Sequence, residues 1–168
     1  MIEKINELVK GKCIEDIVIC GFVDIENGVA EFCNQLYCVF IEVDERYIKL
    51  EAVDQNPRLQ VSITDKLDYS DELFEDMFRA YYHANELILC SNSEYGNDIK
   101  RISFYNYNEI TCECDAIEFE VGNGQVIFFD PSYYYGFNIG GEFQKKVWQN
   151  EYADSIAANE CNNIVLNF

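Results

Sequence analysis

The period-two alternation between Tyr47 and Thr64 leaves this chain few alternatives to a β-sheet. Ile48, Leu50 and Ala52 point one way while Lys49 and Glu51 point the other. After a turn at Asp54-Gln-Asn-Pro57, Leu59, Val61 and Ile63 alternate with Gln60, Ser62 and Thr64. Strand side chains alternate across the backbone, so each run has one face for a core and one for water. Two such runs joined by a short turn make an antiparallel pair. Upstream, Gln35 to Val43 is apolar on both faces, with Leu36, Cys38 and Phe40 opposed to Tyr37, Val39, Ile41 and Val43. That is the pattern of a central strand covered on both sides. With Asp44-Glu-Arg46 as the first turn, residues 35–64 read as a meander.

The flanks add helices and further strands. Ile2, Ile5, Leu8 and Val9 predict a helix over 2–10, stopped at Gly11. Ile14 to Phe22 reads as a strand, Glu26-Asn-Gly28 as a turn, and Val29 to Phe32 as a second short strand. Ser70 reads as an N-cap, with Asp71 and Glu72 in the first turn and Leu73, Phe74, Met77, Phe78 and Tyr81 on one side. This predicts a helix over 70–84. Leu87 to Cys90 fits either the end of that helix or the start of a strand, and 92–98 is a loop. Ile99 to Tyr107 reads as a strand. Ile110 to Val121 reads as another, but its apolar set changes phase from Ile110, Cys112, Cys114, Ala116 to Ile117, Phe119, Val121. Either both faces are covered or a bulge sits near Ala116–Ile117.

Gly122-Asn-Gly124 turns the chain into Gln125–Phe129. That strand enters the most unusual segment, Asp130-Pro-Ser-Tyr-Tyr-Tyr-Gly-Phe-Asn-Ile-Gly-Gly141. Pro131 has no N–H, so the ladder is expected to stop there. Gly136, Gly140 and Gly141 allow tight turns around Phe137 and Ile139. A helix carrying Trp148 and an edge strand at Ile164–Leu166 complete the chain. The class expected is α+β, a mainly antiparallel sheet with helices near the N-terminus, middle and C-terminus, in one domain over 1–168.

Charge narrows the partners. The formal charge is −19, and residues 109–168 hold 10 acids against 2 bases. Such a field repels nucleic acid and anionic membranes and attracts basic proteins. Eight cysteines could suggest disulfides, but they sit inside apolar runs such as Val18-Ile-Cys20 and Leu87-Ile-Leu-Cys90, and residues 1–10 lack an apolar signal core. Reduced thiols in a cytoplasmic protein are expected. Nothing approaches a membrane span. In a strand, Cys112 and Cys114 would face one way as core residues rather than as a zinc site, so no metal or cofactor is expected.

No motif names a reaction. His83 is the only histidine and lies in an aromatic stretch with no triad around it. Gly136-x3-Gly140-Gly141 is neither a dinucleotide nor a phosphate loop. Glu113, Asp115, Glu118 and Glu120 have no base between them, and on one face their mutual repulsion would destabilise the isolated protein. Tyr133, Tyr134 and Tyr135 put at least one tyrosine toward solvent, where tyrosine is a favoured contact residue.

Five stretches carry a resemblance. They are Glu26-Asn-Gly28, Tyr47-Ile-Lys-Leu-Glu with Val53-Asp-Gln55, Ile102-Ser-Phe-Tyr-Asn106, Cys114-Asp-Ala-Ile-Glu118, and Ile127 to Tyr133 continued through Gly136–Gly141. In this order they resemble small acidic bacterial immunity proteins of polymorphic toxin systems. The resemblance implies a non-enzymatic protein that binds a cognate toxin and blocks its active site. A basic, nuclease-like toxin suits the charge, with Glu113, Asp115, Glu118, Glu120 and Tyr133–Tyr135 as the expected contact surface. The alternative is a small enzyme or ligand-binding domain with a pocket at the Tyr133–Ile139 loop.

Overall fold

The computed structural model describes residues 1–53, 58–69, 77–89, 96–133, 136–151 and 162–168. The turn at 54–57, the first half of the helix expected over 70–84, Tyr134 and Tyr135 lie outside these residues. The chain is α+β and mainly antiparallel. It opens with helix α1 (Ile2–Val9), which turns Ile5, Leu8 and Val9 into the core. Strands β1 (Asp16–Glu26), β2 (Val29–Val43), β3 (Arg46–Ala52), β4 (Leu59–Thr64) and β5 (Met77–His83) follow, then the single turn α2 (Asn85–Ile88). After it come β6 (Ile99–Tyr105), β7 (Glu113–Cys114), β8 (Ala116–Val121), β9 (Val126–Tyr133), β10 (Gly136–Gly140), α3 (Glu142–Glu151) and β11 (Ile164–Asn167).

One half of the sheet runs β5-β1-β2-β3-β4-β7 and the other β10-β9-β8-β6-β11. They meet where β10 touches β2 in parallel, Gly136 beside Leu36. Asp115 alone separates β7 from β8, so the chain steps from the edge of β4 directly into the second half. The sheet therefore closes over itself. Ile17, Val39, Ile41, Ile48, Leu50 and Val61 from the first half pack with Ile102, Phe104, Ile117, Phe119 and Phe129 from the second. Burial at this scale is the main source of stability, and a phenylalanine such as Phe119 is worth about 3–5 kcal/mol against alanine.

Four expectations change. The strands expected at 29–32 and 35–43 are one strand, β2. Its register against β1 jumps from Ile19↔Val39 to Gly21↔Asn34, so residues 35–38 form a wide bulge that looks like a break in the sequence. Residues 77–84 are not helical: β5 pairs with β1 from Asp24↔Met77 to Val18↔His83. Its Met-Phe-Arg-Ala-Tyr-Tyr-His sequence fits a strand as well as a helix, and the pairing decides. The strand expected from Ile110 begins only at Glu113. Cys112 takes φ 57° in the preceding turn and Ile110 is 94% exposed, so Cys112 and Cys114 do not share a strand face. The phase change is real and comes from the Asp115 step, which leaves Cys114 and Ile117 in the main core and Ala116 under α3. Finally, β9 continues through Pro131. The register between β9 and β10 shifts between Tyr133↔Gly136 and Asp130↔Asn138, so Pro131 occupies the irregularity, where no ladder bond is needed.

Candidate functional site

The four strand acids do not form one unbalanced face. Arg58, just before β4, places Nε 3.4 Å from Asp115 and 3.8 Å from Glu113. Its Nη2 also donates to the Asn106 and Glu113 carbonyls at 3.0 and 3.3 Å, and Asp115 accepts from Asn106 Nδ2 at 2.9 Å. Glu118 and Glu120 lie further along on β8. Glu118 is 1% exposed and receives Arg101 Nη2 at 2.9 Å, Tyr105 Oη at 3.0 Å and Lys145 Nζ at 2.5 Å. Glu120 shares Arg101 at 2.8 Å. The expected repulsion is thus relieved by cations distant in sequence, and Glu118 is an internal residue with no surface to offer a partner.

Burial on its own lowers the Lys145 pKa, but its bonds to Glu118 and Tyr105 outweigh that and leave it above the ordinary lysine value. Burial raises the Tyr105 phenol, and the Glu118 carboxylate adds to the effect. Lys145 comes from α3, which also lays Trp148 on Tyr105 and Phe128, with ring centroids 5.3 and 5.5 Å apart. This network locks α3 to the outer side of β8 and β9.

The Asp130 segment is a second clamp. Asp130 is 1% exposed and accepts from Ser132 N at 2.9 Å, Ser132 Oγ at 2.5 Å and Gln144 Nε2 at 2.6 Å. The glycines serve close approach: a Cβ on Gly140 would stand 2.7 Å from Gln144 Cβ. Residues 136–140 form a strand, and Phe137 is in the core. Tyr133 contributes backbone to β9, and Tyr134 and Tyr135 fall outside the described residues.

His83 sits on β5 with its side chain 64% exposed, and Nδ1 is 2.5 Å from Asp16 Oδ2. Nearby Glu42 is held above the ordinary glutamate value, first by burial and then by Glu15 and Asp16. The six described cysteines are free thiols. Cys38 is pushed far up by the hydrogen bond it shares with Cys20 and by burial, and Cys114 by burial. Among the described residues no group of His, Cys, Asp and Glu is arranged to hold a metal ion, and no helix is long and apolar enough to cross a membrane. A cleft of about 570 Å³ between α1 and the β2–β3 turn is lined by Lys4, Leu8, Lys12, Asp44, Arg46 and Ile63. Ion pairs Lys12–Asp44 and Arg46–Asp65, both 2.7 Å, engage Lys12, Asp44 and Arg46, and Lys4 and Glu7 also line the cleft.

One region was not legible as a site in the sequence. Beyond the bulge, β1, β2 and β5 continue as a three-stranded ribbon, and residues 25–32 are exposed throughout. Asp24 lies opposite Glu31, and Glu26 opposite Val29, at its tip. No cation lies within ion-pairing distance of these three carboxylates among the described residues. The signal available was the Ile-Glu-Asn-Gly-Val turn with acids on both arms. No protein-family model, curated protein or solved structure matches the chain.

Proposed function

We propose that this chain is a binding protein that neutralises a basic bacterial toxin domain by occluding its active site. The observation that carries the reading is the distribution of charge. Arg58, Arg101 and Lys145 pair with carboxylates of the sheet, whereas the exposed Glu26 and Glu31 and the half-buried Asp24 near the hairpin tip have no counter-charge among the described residues. Carboxylates left together in this way lose stability in the free protein and regain it against a cationic partner. The contact surface we place accordingly at the hairpin tip, rather than at Glu113, Asp115, Glu118, Glu120 and Tyr133–Tyr135. Among the described residues around the Tyr133–Ile139 loop, Phe137 is in the core and Asp130 is closed in by Ser132 and Gln144, which does not favour the ligand-binding alternative.

The test is co-expression with the C-terminal domain encoded by the reading frame directly upstream, where such systems place the toxin. Growth should be rescued, and the purified complex should weaken steeply with salt. Toxicity without rescue, or a harmless neighbour, would refute the reading.

A further inference from the structure

We propose that the end of the β1–β2–β5 ribbon is a two-sided docking finger for a basic protein with a partly apolar cleft. Its apolar side meets the cleft's apolar wall and its acidic reverse meets the cationic wall. The neutralising role above supplies the partner's identity, while the finger's own chemistry stands on the geometry.

The register sorts the side chains. Gly21, Val23 and Ile25 of β1 lie opposite Asn34, Phe32 and Ala30 of β2. Val23 also lies opposite Phe78 of β5, and Ile19 opposite Tyr82. These residues share the side that, lower down, carries Ile17 and Val39 into the core. Past the bulge that side is left open, with Ile25 44%, Phe32 40%, Phe78 58% and Tyr82 44% exposed. The Phe32 and Tyr82 rings stand 6.4 Å apart at 44°. Gly21 makes room for this: a Cβ there would meet Phe32 Cζ at 2.8 Å and the Cys33 carbonyl at 2.4 Å. The reverse side carries Asp24, Glu26 and Glu31, with the exposed Val29 opposite Glu26.

Three half-exposed aromatics and Ile25 amount to roughly 400 Å² of apolar surface. Patches of about 300–600 Å² are the largest that ordinary monomers show, and are often functional. This one supplies about half of the ~800 Å² that a partner contributes to a standard interface, and the acids of the opposite side supply the charged contact. A second copy of the chain is the wrong occupant. It would bring another −19 charge and another set of tip carboxylates to the same place. Arg79, the ribbon's one arginine, lies instead on the reverse side, 5.4 Å over the Tyr69 ring.

The experiment maps amide shifts of the labelled chain titrated with an alternating lysine–leucine octapeptide, with lysine–serine and glutamate–leucine peptides as controls. Shifts confined to 21–34 and 77–83, with at least tenfold tighter binding than either control, are expected. Ile25→Ser with Phe78→Ser should abolish them. Asp24→Asn, Glu26→Gln and Glu31→Gln together should weaken binding about tenfold and flatten its salt dependence. Shifts elsewhere, equal binding of the glutamate–leucine peptide, or a dimer in sedimentation that Phe78→Ser dissolves would overturn the proposal. In co-expression, rescue undiminished by Ile25→Ser/Phe78→Ser would overturn it too. If the unmodified chain fails to rescue while the peptide still maps to the finger, neutralisation falls and the finger stands.

Discussion

Glu118→Gln removes the negative charge from the buried centre of the α3 clamp without changing its shape. Three donors converge on that carboxylate, Arg101, Tyr105 and Lys145, and the side chain is 1% exposed. Breaking a buried pair from one side costs about 3–5 kcal/mol. Two features reduce it here. Arg101 keeps Glu120, and Lys145 is 17% exposed and can find water. The expected loss is therefore about 2–3 kcal/mol. Glu120→Gln is the control: its side chain is 34% exposed, and it should cost at most about 1 kcal/mol. With a urea slope of roughly 2 kcal/mol per molar, the first variant should unfold about 1 M earlier and the second within about 0.5 M of the parent. Pairing Glu118→Gln with Lys145→Met should show a coupling above about 1 kcal/mol, because the two residues touch. Equal midpoints for Glu118→Gln and Glu120→Gln would refute the assignment of Glu118 as an internal counter-ion.

Two more outcomes follow from the same elements. Gly140→Ala drives a Cβ to 2.7 Å from Gln144 Cβ, too near the helix backbone for the side chain to swing clear. It should cost about 1–3 kcal/mol and red-shift the emission of Trp148, which is 2% exposed beneath α3; unchanged emission and stability would refute the close packing. Stability should also fall at alkaline pH. Cys38, Cys114, Tyr105 and Lys145 all have native pKa values above their ordinary 9.0, 9.0, 10.0 and 10.5. The folded chain keeps protons that the unfolded chain releases, so their contribution is full below about pH 9 and is lost as pH rises through the native values. A urea midpoint that stays flat from pH 7 to pH 10.5 would contradict this.

The β3–β4 meander was legible because each strand has one wet and one dry face, so periodicity alone sets the register. Ile48↔Ile63 and Leu50↔Val61 are the pairs that alternation requires. The site was harder to read. Glu113, Asp115, Glu118 and Glu120 look unbalanced in sequence because Arg58 lies 55 residues before Glu113 and Lys145 arrives from a later helix. A local charge count cannot contain those partners. Residues 77–83 were misread because their aromatics suit either period until β1 supplies a neighbour. Pro131 misled for the same reason: whether a missing N–H matters depends on the bulge opposite it.

The single-residue step at Asp115 has a kinetic meaning. The β1–β2, β2–β3, β3–β4 and β8–β9 pairs each close a short loop and can form locally. The β4–β7 contact, Leu59 with Cys114 and Gln60 with Glu113, cannot, because the intervening chain must first be gathered. Two meanders become one core only when this pair and the contact of Gly136 with Leu36 have formed. Contacts of such sequence separation dominate the time a chain needs to fold, so the β4–β7 pair and the Gly136–Leu36 contact weigh on the folding rate far beyond their size.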